Sequence, residues 1–140
     1  MNVAIQPWGD GAKLPRYGRP GDAALDCHAR TEAELRPGRV TPVPLGFAVA
    51  IPPGHVGLIA DRSGLAREHG ILTLGGVIDP NYRGEVTALM TTLAEPVALP
   101  AGTRVCQLLI LPAPSIELQP MPELPTTERG SAGFGSSGRD

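Results

Sequence analysis

Sixteen prolines and eighteen glycines are spread through these 140 residues, and they cut the apolar runs into short pieces. A proline inside a helix costs ~3 kcal/mol and an interior glycine ~1 kcal/mol, so this spacing excludes long helices. Short apolar runs between turn residues predict brief strands instead. The candidates are Val3 to Gln6, Ala24 to His28, Arg39 to Pro42, Phe47 to Ile51, Val56 to Asp61, Val86 to Leu93 and Arg104 to Leu111. An antiparallel domain of this length must dispose of its edge strands, which predicts an all-β fold, either a closed barrel or a jelly roll. One short helix is expected in SGLAREHG, with Ser63 as N-cap, Gly64 to His69 as its turns and Gly70 as the left-handed residue beyond. Residues 1–124 read as one folded core. After Leu124 the sequence TTERGSAGFGSSGRD lacks the apolar content to fold on itself, so residues 125–140 read as a flexible arm.

A chain of 140 residues buries roughly 68–70% of its unfolded surface, enough for a core without staples. Its two cysteines, Cys27 and Cys106, sit in apolar contexts with no CxxC spacing, which suggests inert core thiols rather than a disulfide framework or a zinc site. The histidines His28, His55 and His69 show no HxH or HxxxH pattern and read as surface or structural residues. A net charge of -2 supplies no basic face for a nucleic-acid backbone. No continuous apolar segment near the start suggests a signal peptide or a membrane span, so the expected compartment is the cytoplasm.

Chemistry concentrates in GVIDPNYRGE, Gly76 to Glu85, where Val77 and Ile78 favour a buried strand and Pro80, Asn81 and Gly84 break it. Asp79 therefore projects where strand becomes loop, with Tyr82 and Arg83 on the same turn. In DRSGLA, Asp61 to Ala66, a strand opens into the short helix beside Arg62, Ser63 and Gly64. That corner suits a phosphate, and equally an ordinary helix cap with a solvated arginine. Gln107 lies in the apolar run VCQLLIL, and its amide needs a partner, either main chain or a ligand oxygen. Asp26 in AALDCHA must likewise reach water, a cation or a metal. Arg129, Phe134 and Ser136 lie in ERGSAGFGSSG, a low-complexity terminus or a closing lid with a stacking ring and a phosphate fork.

In order, AALDCHA, PPGHVG with DRSGLA, GVIDPNYRGE, GTRVCQLLI and ERGSAGFGSSG resemble the five motifs of the trimeric deoxyuridine triphosphatases, the dUTPases, over about Ala24 to Gly138. The resemblance implies a jelly-roll homotrimer with shared active sites that hydrolyses dUTP to dUMP and pyrophosphate, supplying dUMP for dTMP synthesis and keeping uracil out of DNA. It implies that Asp79 is the general base for water attacking the α-phosphorus. Asp26 would meet Mg²⁺ through water, a fit for a hard cation that retains its hydration. Ser63, Gly64 and Gln107 match phosphate contacts, and Arg62 braces the site or a subunit contact. Tyr82 matches the tyrosine beneath the deoxyribose. The backbone from Leu74 through Gly75 and Gly76 to Val77 resembles the hairpin that reads uracil. Arg129, Phe134, Gly135 and Ser136 match the arm that closes over γ-phosphate and base.

The chain departs from the family pattern at Ala24 and Leu25 before Asp26, at Asp61 before RSG, at Asn81 and at Ala132. Asp61 places a negative charge near the expected phosphate corner. Two rival readings follow from the same fold: a dCTP deaminase, which needs an acid that VTALMTTL does not contain, and a non-catalytic nucleotide-binding trimer.

Overall fold

The computed structural model describes residues 1–133. Their strands are β1 (Ala4–Pro7), β2 (Leu25–His28), β3 (Ala33–Leu35), β4 (Thr41–Pro44), β5 (Phe47–Ala50), β6 (His55–Asp61), β7 (Ile71–Leu74), β8 (Val77–Ile78), β9 (Thr87–Thr92), β10 (Val97–Leu99) and β11 (Arg104–Pro112), with one helix, α1 (Ser63–His69), after β6. They form four small antiparallel sheets, ordered β1-β5, β10-β3, β2-β11-β6-β8 and β4-β9-β7. The all-β expectation holds, in jelly-roll form. No sheet closes into a barrel among the described residues, because the edges are spread over four short ladders instead.

The seven expected strands all form, most within a residue or two of their predicted bounds. Three more were hidden. β3 and β10 are only three residues each and pair with one another. β7 follows directly on Gly70 and has four residues, of which only Ile71 is buried, so it shows no clear alternation. Val77, expected in a buried strand, is 64% exposed, and only its neighbour Ile78 points inward. Phe47, Leu35, Leu45, Ile51, Ile71, Met90 and Leu108 fill the centre between the sheets. β11 runs through the middle of its sheet, paired with β2 on one side and β6 on the other.

Helix α1 and its cap both begin one residue earlier than expected. Arg62 is the N-cap with extended backbone and no side-chain capping bond, while Ser63 is already helical. Gly70 does close the helix in the left-handed conformation (φ 61°), its N–H donating to the Ala66 carbonyl. The chain from 114 to 133 forms no strand or helix, and each of these residues is exposed.

One charged pair ties the loop between β2 and β3 to the loop before β9, and a backbone N–H from the loop before β5 joins it. Arg30 donates from Nε and Nη2 to the two oxygens of Glu85, at 2.7 and 3.1 Å, and the Gly46 N–H donates to Glu85 Oε1 at 3.0 Å. The Arg30 hydrogen bond leads in holding the Glu85 carboxyl below the usual carboxylate range, with the Gly46 N–H and the Arg30 charge helping against burial. An unfolded Glu titrates near ~4.3. Below that pH the unfolded chain takes up a proton that the folded chain refuses, so this stability is present above it and is lost as pH falls through the lowered value. Glu85→Gln should therefore lower Tm by roughly 4–8 °C at neutral pH. The gap between variant and wild type should narrow in thermal melts taken from about pH 5 down to about pH 3. A gap that stays constant would mean that the Glu85 charge contributes nothing.

Candidate active site

Two clusters gather most of the residues singled out in the sequence. The first is built on the corner between β7 and β8. Leu74, Gly75, Gly76, Val77, Ile78, Asp79 and Tyr82 line one cavity of about 190 Å³, together with Ile59 on β6 and Val86 to Ala88. The hairpin expected over Leu74 to Val77 is not formed by mutually paired strands: β7 pairs with β9 while β8 pairs with β6. Gly75 and Gly76 instead carry the chain from one sheet to another. Gly75 takes φ 58°, which costs glycine nothing. Gly76 is needed for space. Its carbonyl accepts the Ile59 N–H at 2.7 Å, and an added Cβ would overlap the Ile59 carbonyl oxygen.

At the mouth, Asp79 is exposed and opens a turn closed by the Tyr82 N–H donating to its carbonyl at 3.1 Å. Its carboxylate accepts no hydrogen bond from another described residue. The group is free to hold a water. Tyr82 is 45% exposed, and its hydroxyl donates to the Glu85 carbonyl at 2.9 Å, fixing the ring across the cavity mouth. The same Glu85 anchored by Arg30 thus steadies the tyrosine.

The second cluster surrounds Asp26, which is only 6% exposed. Arg62 lies 3.3 Å from Oδ1, Arg104 donates to Oδ2 at 3.1 Å and Gln107 donates to Oδ1 at 3.2 Å. Burial pushes this carboxyl up, but the hydrogen bonds of Gln107 and Arg104 and the charges of Arg62 and Arg104 outweigh it, so the net shift is downward. Arg62 also donates to the Arg104 carbonyl at 3.2 Å, so it touches two members of the cluster. Gln107 is half-buried, and its partner is Asp26 rather than main chain. Ser63 and Gly64 stand exposed at the opening of α1, and a Cβ on Gly64 would meet nothing within 4 Å.

Arg104 was missed by the sequence reading, for a reason of register. Strict alternation puts positions 104 and 107 on opposite faces. The β2–β11 ladder, however, shifts register between Arg104 and Cys106, and Val105 and Cys106 are both buried in succession. This bulge brings Arg104 and Gln107 to the same carboxylate. Two adjacent core-type residues after a charged one were the available signal.

The added carboxylate of Asp61 faces elsewhere. Its Oδ1 accepts both the N–H and the hydroxyl of Thr73, each at 2.6 Å, which ties the end of β6 to β7 just ahead of the Gly75–Gly76 corner. Among the histidines, His28 is buried with Nδ1 unpartnered, His55 Nδ1 lies 3.1 Å from the Pro53 carbonyl and His69 is exposed. Arg129 is exposed and donates to the Ala132 carbonyl at 3.0 Å. Phe134, Gly135 and Ser136 lie outside the described residues.

No group of three or more His, Cys, Asp and Glu side chains among the described residues could hold a metal ion. A carboxylate offers about four lone-pair positions, so Asp26, with two hydrogen bonds and the Arg62 ion pair on it, can still accept from a water. The residues fit a cation met through its hydration shell, not one gripped by protein ligands.

The family model for dUTPase matches residues 10–138. The chain belongs to the dUTPase family. The deoxyuridine 5'-triphosphate nucleotidohydrolase of Cutibacterium acnes is 43% identical over 129 residues, covering 89% of this chain and 85% of that protein. The enzyme of the same name from Gloeobacter violaceus is 41% identical over 143 residues, covering 99% of this chain and 97% of its own. Among solved structures, the Staphylococcus bacteriophage 80alpha dUTPase with dUpNHpp has a TM-score of 0.90 at 24% identity over 99% of both chains. The phage phi11 dUTPase, described with a structural Mg(II) ion, has a TM-score of 0.82 at 21% identity, covering 88% of this chain and 98% of that one. These likenesses show the fold. The sequence relatives make this dUTPase chain a dUTP-hydrolysing enzyme, not a deaminase. β9 agrees, since Thr87–Thr92 contains no acid.

Proposed function

We propose that the corner cavity takes the uracil and deoxyribose of dUTP, and that Asp79 orients and deprotonates the water that attacks the α-phosphorus, giving dUMP and pyrophosphate. The observation that carries this reading is the shared cavity of Leu74 to Val77, Asp79 and Tyr82. Main-chain groups at Gly75 and Gly76 suit a base reader, because donor and acceptor order separates uracil from cytosine. The Tyr82 ring beneath the sugar leaves no room for a ribose 2′-hydroxyl.

Ser63, Gly64 and Gln107 take the phosphates, with Arg62 and Arg104 holding Asp26 in place. Mg²⁺ carried in with the triphosphate would be met by Asp26 through water and would offset phosphate charge. None of the Asp26 cluster lines the Asp79 cavity within one chain. A homotrimer in which neighbouring copies bring the two clusters together accounts for that separation. Exposed apolar side chains such as Val40, Leu93, Leu111 and Ile116 support self-association. Residues 125–140 form the closing arm, with Arg129, Phe134, Gly135 and Ser136 on γ-phosphate and base. The cellular role is to supply dUMP for dTMP synthesis and to keep uracil out of DNA, in the cytoplasm.

The test is pyrophosphate release from dUTP, dCTP, dTTP and UTP in the presence of Mg²⁺. Turnover of dUTP should exceed that of the others by at least about 10²-fold. Ammonia release from dCTP would replace this reading with deamination. Binding of dUTP without any product would favour the non-catalytic trimer.

A further inference from the structure

Cys27 on β2 and Cys106 on β11 lie about eighty positions apart in the chain, yet they are directly opposed residues of the antiparallel ladder. The next opposed pair is Asp26 and Gln107. Both thiols are free and fully buried. As directly opposed residues, the two side chains leave the ladder on the same face. Cys27 Sγ also donates to the Leu25 carbonyl at 3.6 Å. Opposed residues of an antiparallel pair have Cα atoms ~4.5 or ~5.5 Å apart, and a disulfide accepts ~4.4–6.8 Å. Two strands thus hold two cysteines at a backbone spacing that a disulfide accepts, one step from the carboxylate cluster.

We propose that Cys27 and Cys106 form an oxidation site, in which a hydroperoxide closes them into an intrachain cross-strand disulfide that disturbs the adjacent Asp26–Gln107 contact. One sulfur attacks a peroxide oxygen, the O–O bond breaks, and a sulfenic acid and one water result. The second sulfur displaces the hydroxyl as a second water and forms the S–S bond. Two thiols are oxidised and one hydrogen peroxide is reduced to two waters, so the step balances.

Access comes from the sheet's own order. β2 is an edge strand, held by β11 and by a single bridge from Arg16 to Asp26. Edge elements open locally at less cost than central ones. In the closed state the Cys27 hydrogen bond, and then burial, push the Cys106 thiol up, so it keeps its proton. Oxidation therefore waits on opening of β2 and is slow. Once formed, the bond joins the strand carrying Asp26 to the strand carrying Arg104 and Gln107, and it changes the spacing that two unbonded sulfurs allow.

The experiment exposes the reduced, folded full-length protein to hydrogen peroxide. Intact mass, non-reducing peptide mapping and dUTP turnover are then read before and after thiol reduction. The expected result is loss of two hydrogens per chain, one linked peptide containing Cys27 and Cys106, and a fall in kcat/KM of roughly tenfold or more that reduction reverses. Cys27→Ala should form no link and keep its activity under peroxide. If that variant fails to fold, the wild-type peptide map still decides. Single-site sulfinic acid, links between chains, or thiols that react only after denaturation would each overturn the proposal. A linked chain with unchanged kcat/KM would overturn its effect on the site. The activity arm rests on the proposed role of Asp26 and Gln107 in binding phosphates. A reduced enzyme that does not turn over dUTP would sink that role, while the peptide map still judges the disulfide.

Discussion

Asp79→Asn should reduce kcat for dUTP by ~10²–10⁴-fold, the usual worth of a positioned general base. The expectation follows from what the side chain does not do. It is exposed and takes no hydrogen bond from another described residue, so nothing in the fold depends on its charge. Asparagine keeps the shape and the turn, and the Tyr82 N–H still finds the main-chain carbonyl of residue 79. Tm and the affinity for a non-hydrolysable dUTP analogue should stay near wild type while turnover is lost. That split separates chemistry from binding. A kcat within about threefold of wild type would remove Asp79 as the base, because even weak base catalysis exceeds it.

Gly76→Ala should be the most damaging small substitution in the corner, costing ~2–4 kcal/mol. The new methyl would overlap the Ile59 carbonyl oxygen and press on the Ile59 Cβ at 3.3 Å. Neither can yield alone, since the Ile59 N–H is bonded to the Gly76 carbonyl at 2.7 Å and relief means parting β6 from the corner. Gly75→Ala is the informative control. There a Cβ would meet only Leu89 Cδ1 at 3.9 Å, and the penalty is the left-handed φ of 58°, about 1 kcal/mol. Urea melts of the two variants should rank Gly76→Ala well below Gly75→Ala. Equal losses would mean that conformation, not space, governs the corner. Because the same residues line the Asp79 cavity, Gly76→Ala should also raise KM for dUTP.

Much of the fold was legible because Pro and Gly leave few choices: strands such as Phe47–Ala50 and Arg104–Pro112 stand out as apolar runs between breakers. What stayed hidden was short or shifted. β3 and β10 have three residues each, too few for alternation to register, and they exist because they pair with one another. The order of Asp79, Tyr82 and the two glycines along one segment already placed the cavity, since neighbours in sequence are neighbours in space. The Asp26 cluster was legible as separate residues but not as an assembly. Its members come from β2, the β6–α1 junction and β11, and Arg104 reaches it only through a displaced register. The assignment of Ser63 as cap failed because Arg62 takes the extended backbone there and the helix needs no side-chain acceptor.

The bulge at Val105 divides β11 into two stretches of opposite phase. Ahead of it, Arg104 meets Asp26; beyond it, Cys106 and Leu108 fill the core while Gln107 returns to the same carboxylate. A single inserted or deleted residue in this strand would therefore not merely lengthen or shorten it. It would exchange the charged and apolar faces on one side of the change, placing a guanidinium in the core or a leucine beside a carboxylate. Length variation between Thr103 and Leu108 is tolerable only in compensating pairs, one residue gained for one lost, so a drifting sequence can change the side chains of this strand far more readily than its count.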